Sequence, residues 1–401
     1  MTGRPDDRTV AIPSGLPWDD GRWACAALHA AGYEAWLVGG CVRDLLLGRA
    51  VHDVDVATSA HPEQVAACFP RVLEVGRAFG VMIAVHPSGR NIEIATYRND
   101  GAYIDGRRPS GVTFATAVED VHRRDFTLNA LLLDPLTGEV VDHVGGLADL
   151  HARILRVIDD AGRLAEDRLR VLRGLRFAAH LELTVEPATW SALIATPLEG
   201  LSRERIWQEV DKGLSHAPAR WWQLVVTAGL AQAVFPVLPP RGEAVDLAAV
   251  TPDDDRLLPL ALILAPAPTS GLLAWLQDQP IPRERSQHLK RLREGAALLA
   301  NGCPLAARRR ALRGPEAVLV ARYLQCQGLV PQVAGWLAEE QAIPQLPPLL
   351  RASDLLAAGI KPGPQLGRLL AAVEDAQLEN RLRTADDALA WVRQAAPEHG
   401  R

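Results

Sequence analysis

Strand-like patterning in this 401-residue chain stops near Ile158. Up to that point short apolar or alternating runs mix with helical spacing. Beyond it a Leu-, Ala- and Arg-rich helical pattern continues, broken by Pro236-Val237-Leu238-Pro239-Pro240, by Pro266-Ala267-Pro268 and by Pro344 to Pro348. The division implies an α+β head with a small mixed sheet, followed by an all-α neck, body and tail. The expected boundaries are 18–157 for the head, 158–238 for the neck and 239–401 for the body and tail, consistent with two to four domains at roughly 100–200 residues each. Within the head, Trp18 to Ala31 has helical spacing, Ala35 to Val38 reads as a strand, and Val42 to Leu47 as a short helix closed by Gly48. Pro62 to Cys68 reads as helix. Val81 to Val85 and Asn91 to Thr96 flank the turn signal His86-Pro87-Ser88-Gly89 as a hairpin.

Between these elements lies Val51-His52-Asp53-Val54-Asp55-Val56. In an extended strand alternate side chains share a face, so Asp53 and Asp55 project together while Val54 and Val56 enter a core. Paired carboxylates repel one another and call for a cation. Hard oxygen donors with open positions suit Mg²⁺, which binds through one or two carboxylates and substrate phosphates. Gly39 and Gly40, which end the preceding strand, let backbone N–H groups approach an anion at a helix N-terminus. Arg43 in that first turn offers a fork of donors for a phosphate or carboxylate. Alternation also separates Glu93 from Ile92 and Ile94. Glu93 reads either as a third carboxylate beside Asp53 and Asp55 or as an edge-strand glutamate paired with Arg90 or Arg98.

Farther along, Asp167, Arg170, Arg173 and Arg176 recur every third residue beside a stripe of Leu169, Leu172 and Leu175. On a helix the leucines enter a core and the arginines stand at its rim. Glu166 or Asp167 with Arg170 equally makes a simple helix ion pair. Basic clusters recur at Arg283 to Arg293 and Arg308 to Arg313, either as solvated helix faces or as docking points for RNA phosphates. The net charge of −5 does not exclude a local basic groove. Five scattered cysteines without a Cys-x-x-Cys pair support neither a disulfide framework nor a zinc site. No apolar stretch reaches membrane-spanning length, so no membrane association and a cytoplasmic location are expected.

The run Gly39-Gly40-Cys41-Val42-Arg43-Asp44, followed by His52-Asp53-Val54-Asp55-Val56-Ala57-Thr58, resembles the first motif of the class II tRNA CCA-adding enzymes and bacterial poly(A) polymerases, within the polymerase-β-like nucleotidyltransferase superfamily. Further motifs follow in order. Asn91 to Arg98 is similar to the next strand, Arg123-Arg124-Asp125-Phe126-Thr127-Leu128-Asn129-Ala130 to the second motif and Asp142 to Asp149 to the third. Glu166-Asp167-Arg168-Leu169-Arg170 through Phe177 resembles the fourth, and Leu201 to Ile206 the fifth.

The resemblance implies transfer of a nucleotide onto the 3′ end of tRNA, with CTP and ATP as substrates and Mg²⁺ as cofactor. Asp53 and Asp55 would hold two metal ions for in-line attack of the RNA 3′-hydroxyl on the α-phosphate, with pyrophosphate leaving. Gly40 and Arg43 would hold the triphosphate, and Arg124, Asp125 and Asn129 would meet the nucleotide and its ribose. The Glu166-Asp167-x-x-Arg170 element would act as a protein template, the aspartate accepting from the amino group of cytosine or adenine and the arginine donating to the ring acceptor. Arg173 and Arg176 would serve phosphates or fix that pair. Arg98, Tyr103, Asp105, Arg107, Arg108 and Pro109 resemble a flexible loop that helps switch specificity from C to A. An A-adding enzyme and a poly(A) polymerase share these motifs. A non-catalytic RNA-binding protein on the same scaffold is disfavoured by the presence of Asp53, Asp55, Arg43, Asp167 and Arg170 together.

Overall fold

The computed structural model describes residues 8–101, 111–159, 162–240, 245–251, 253–343 and 347–395. The chain forms two compact units that divide after Pro236. The expected head and all but the last two residues of the expected neck fall in the first.

The first unit opens with α1 (Trp18–Ala30), β1 (Ala35–Val38), α2 (Gly40–Leu46), β2 (Asp55–Thr58) and α3 (Pro62–Cys68). Proline begins α3, where its missing N–H is not needed, and the Gln64 side chain accepts from the His61 N–H at 2.8 Å. Next come β3 (Val72–Gly76), β4 (Val81–Val85), β5 (Asn91–Thr96), and the ribbon of β6 (Arg98–Asp100) and β7 (Val112–Phe114). After α4 (Ala117–His122) lie the two-residue strands β8 (Leu132–Leu133) and β9 (Val140–Val141), then α5 (Gly146–His151). A reciprocal Thr116 and Glu119 capping box starts α4.

Seven strands form one sheet in the order β3-β4-β5-β2-β1-β8-β9. Its pairings are antiparallel except between β2 and β5, where Asp55 lies across from Glu93. β5 is therefore an inner strand, not an edge. The expected hairpin is β4 and β5, with Val85 paired to Asn91. The core holds Leu37, Val56, Ile92 and Ile94, while Val54 is buried just ahead of β2. Asp53 precedes the ladder, so the strand is shorter than the alternation implies.

After β10 (Ile154–Leu155), at the end of the expected head, the neck portion adds α6 (Gly162–Glu166), α7 (Leu169–His180), β11 (Thr184–Val185) and α8 (Pro187–Ala195). Strands β10 and β11 pair in parallel, a feature the helical composition conceals. Helices α9 (Arg203–His216), α10 (Pro218–Thr227) and α11 (Ala231–Val234) complete the unit. A Cβ on Gly213 of α9 would stand 2.6 Å from Cε2 of Trp221, so only glycine admits the indole of α10 at this separation.

The second unit is helical: α12 (Leu257–Ile263), α13 (Thr269–Gln277), α14 (Arg283–Ala300), α15 (Leu305–Arg313), α16 (Ala317–Cys326), α17 (Val333–Ala342), α18 (Ala352–Ala357), α19 (Pro364–Leu378) and α20 (Ala385–Ala395). Helix α12 is buried along its whole length, against α14 and α16. Leu355, Leu369, Val373, Ala388 and Val392 form a separate apolar cluster. Among the described residues no helix is long and apolar enough to cross a membrane.

Candidate active site

A cleft of about 450 Å³ in the first unit is lined by Gly39, Gly40, Arg43, Asp55, Arg123, Arg124, Asp125, Asn129, Asp167, Arg170, Arg173 and Phe177. It gathers side chains from both expected ends of a nucleotide site. Gly39 has φ +76°, a left-handed conformation that L side chains adopt only with strain, and this turn swings the chain from β1 into α2. A Cβ there would also lie 3.8 Å from Nη1 of Arg124.

At the acidic end, Asp55 faces Glu93 across the β2–β5 ladder, with Asp53 two residues upstream. Burial, then the charges of Glu93 and Asp53, push the Asp55 carboxyl up to about 6, although Arg124 draws it down. Such mutual repulsion among hard oxygen donors fits a cation. Among the described residues no group of three or more His, Cys, Asp or Glu side chains converges closely enough to hold a metal by itself. The alternative partner for Glu93 is excluded for Arg90, which makes a two-bond pair with Asp20 at 2.7 and 2.5 Å.

Of the two partners expected for the Arg43 fork, a phosphate or a carboxylate, one edge already holds the carboxylate: Nε and Nη2 donate to Asp44 at 2.9 and 2.8 Å. Nη1 donates to Asn129 Oδ1 at 2.7 Å, leaving one N–H on each terminal nitrogen. Asn129 in turn donates to Asp125 Oδ1 at 3.1 Å, and Arg173 donates to Asp125 Oδ2 from Nε and Nη2 at 2.9 and 2.7 Å. With the Phe126 N–H on Oδ1 as well, both oxygens of Asp125 are saturated. Burial opposes its charge, yet the Arg173 guanidinium and these bonds hold its carboxyl at about 2. Asp125 thus acts here by fixing Arg173. Arg124 is held through Nη2 by Asp120 at 2.9 Å, and its buried Nε has no hydrogen-bond partner.

At the other end, Asp167 precedes α7 instead of riding on it, and accepts from the Leu169 N–H at 3.1 Å and from Arg205 Nη2 at 2.8 Å. Each oxygen retains an acceptor position. Arg170 is buried, not at a rim: Nη1 donates to Arg163 O at 2.7 Å and Glu166 Oε2 at 3.2 Å, and Nη2 to Arg123 O at 3.0 Å. Its Nε–H and one Nη2–H stay available. Glu166 stands outside the lining and steadies Arg170 and Arg163. Arg176 also lies outside it, paired at 2.5 Å with the buried Glu209 of α9. The leucine stripe is buried as expected, and of the arginines Arg170 is drawn in with it by carbonyl and carboxylate partners, while Arg173 and Arg176 are half-buried. Patterning within one helix cannot show those partners.

Sequence reasoning passed over Phe177, Arg123, Arg205 and Glu209. The first three lie inside quoted motifs. Asp142, in the third motif, caps the start of α5 by accepting from the N–H groups of Val144, Gly145, Gly146 and Leu147. Tyr103, Asp105, Arg107, Arg108 and Pro109 lie outside the described residues.

In the second unit the basic clusters are largely neutralised. Arg309 and Arg313 share the buried Glu340 at 2.8 and 2.9 Å, Arg310 meets Glu374 and Asp375, and Arg291 pairs with Glu316 at 2.5 Å. Arg308 differs, with its Cζ 4.5 Å from the Trp336 ring centroid and no ion-pair partner among the described residues.

Residues 35–156 match the Poly A polymerase head domain. A CCA-adding enzyme of Streptococcus mutans serotype c is 33% identical over 369 residues, covering 86% of this chain and 89% of the relative. One from Streptococcus pyogenes serotype M2 is 42% identical over 216 residues, 53% of this chain and 52% of the relative. The crystal structure of Bacillus stearothermophilus CCA-adding enzyme in complex with CTP superposes with a TM-score of 0.79 at 28% identity, covering 96% of this chain and 99% of that one. The Thermotoga maritima CCA-adding enzyme shares the fold, with a TM-score of 0.70 at 19% identity over 94% of this chain and 95% of that one.

Proposed function

The chain belongs to the family of CCA-adding enzymes, a family of nucleotidyltransferases that use divalent metal, and from that premise we propose that it builds or repairs the 3′-terminal CCA of tRNA from CTP and ATP, with Mg²⁺, in the cytoplasm. One observation carries the reading: a single cleft is lined at one end by Asp55, which Glu93 and Asp53 neighbour, and at the other by an acceptor, Asp167, and a donor, Arg170, one helical turn apart, each with free valences. Cytosine and adenine both present an amino donor next to a ring acceptor, whereas uracil and guanine reverse the pattern. Asp167 accepts and Arg170 donates, so together they select the first pair without a nucleic-acid template.

Asp53 and Asp55 are the residues that hold Mg²⁺, with Glu93 beside them. When bound, the ion lowers the charge on the triphosphate and favours an ionised attacking hydroxyl. The protein's own contribution is placement. Arg43 presents its two free N–H groups to the triphosphate from the floor of the cleft, and Arg124 stands beside the Gly39 turn. Asn129 and Asp125 keep Arg43 and Arg173 at a fixed separation. Arg308, held on Trp336, offers a phosphate contact to RNA in the second unit.

The deciding experiment supplies tRNAs ending before the CCA, at C and at CC with CTP and ATP, separately and together. Addition of two C and one A to the shortest tRNA is the expected result. Growth only on the CC end marks an A-adding enzyme, and unlimited A addition a poly(A) polymerase. No incorporation on any substrate overturns the enzymatic reading.

A further inference from the structure

Three guanidinium groups converge on one ring. The Cζ of Arg176 lies 4.2 Å from the centroid of Phe177, that of Arg43 5.1 Å and that of Arg173 5.3 Å. Phe177 is buried and packs edge-on to Phe126 at 6.0 Å. Like charges repel more strongly where water is sparse. Each arginine has its own carboxylate to offset this, Asp44 for Arg43, Asp125 for Arg173 and Glu209 for Arg176. The aromatic face, with its negative quadrupole, is common to all three.

Arg43 and Arg173 line the cleft from different elements, and Arg176 stands behind them, outside the lining. Arg43 belongs to α2, at the triphosphate end, and Arg173 and Arg176 to α7, the helix that follows Asp167 and carries Arg170. Arg43 and Arg173 are also linked through Asn129 and Asp125. Hydrogen bonds on one side and the ring on the other close a circuit around five residues. A shift of α7 therefore reaches Arg43 by two routes. We propose that Phe177 is a positioning residue for specificity: by holding Arg43 and Arg173 against one ring, it makes alignment of the triphosphate depend on the seat of the base against Asp167 and Arg170. The inference rests on the nucleotide-binding reading of the cleft.

The test compares Phe177→Leu, which keeps apolar bulk and removes the π face, with Phe177→Tyr, which keeps both. On a tRNA ending before the CCA, kcat/KM is measured for CTP and for UTP with one preparation of each variant, so that any unfolded fraction cancels in the ratio. The expected result is a loss of about tenfold in the CTP-to-UTP ratio for F177L, with F177Y within about twofold of the wild type. Should F177L not fold, Phe177→Met takes its place under the same criterion. An unchanged ratio in the ring-less variant, or a Tyr variant as impaired as it, overturns the inference. Wild-type incorporation with such a result leaves the proposed function standing, whereas no incorporation by the wild type removes the reading beneath both.

Discussion

Asp55 and Glu93 face each other across the one parallel ladder of the seven-stranded sheet. Replacing Asp55 by Asn, or Asp53 by Ala, is expected to lower single-turnover incorporation on the order of 10³-fold or more while tRNA binding is retained. Glu93→Gln should lower it less, since Glu93 acts beside the pair. Rapid-quench incorporation with a parallel tRNA filter-binding assay checks this. Retained turnover in D55N would refute its role.

Arg205 and Asp167 supply a second prediction. Because Arg205 holds one oxygen of Asp167 at 2.8 Å, Arg205→Ala frees the carboxylate to rotate. Discrimination between CTP and UTP should fall in Asp167→Ala and Arg170→Ala by about 1–3 kcal/mol, roughly five- to 150-fold. It should fall by less in the Arg205 variant. Competition assays with the two nucleotides report the ratio, and equal discrimination in all variants would exclude the template role.

Gly213→Ala tests packing alone. The added methyl would meet the Trp221 indole at 2.6 Å, against a buried ring with little freedom to move. Overpacking of this kind costs about 1–3 kcal/mol. Chemical denaturation followed by circular dichroism should show that loss, and an unchanged midpoint would mean that α10 yields easily.

His180 provides the pH dependence. Its Nε2 accepts from Arg49 at 2.8 Å and its ring lies 4.4 Å from that of His216, with Asp44 and Arg43 also acting on it. Burial, His216 and Arg49 lower its pKa from 6.5 to about 4, while Asp44 opposes them. A lowered value means that the unfolded chain takes up the proton first. The associated stability is fully present above about 6.5 and is lost as pH falls toward about 4. Thermal melts across this window should show a smaller loss for His180→Gln than for the wild type; parallel curves would rule out this source.

Much of the head was legible because its signals are local. Proline at the start of α3, the apolar run of β1 and the turn between β4 and β5 each depend on a few adjacent residues. The nearness of Asp53 to Asp55 is local for the same reason, and the Asp53 charge acts on Asp55. What alternation could not convey was where pairing begins, and Asp53 lies just outside the ladder. The least legible feature was how each arginine spends its donors. Arg43 reaches Asn129, Arg176 reaches Glu209, and Arg170 reaches the carbonyl of Arg123, all partners distant in sequence and set by tertiary packing. The inner position of β5, which removes the edge-strand reading of Glu93, is likewise a property of the whole sheet.

The parallel pairing of β2 with β5 also governs the order in which this site can come into being. Parallel neighbours cannot be joined by a tight turn, and here α3, β3 and β4 intervene along the chain. The local hairpin of β4 and β5 closes a short loop, whereas bringing Glu93 beside Asp55 closes a much longer one and sacrifices more chain entropy. The carboxylates around Asp55 are therefore assembled by a long-range contact, so a chain with its helices and hairpins already formed still lacks the strand pair that brings Glu93 beside Asp55.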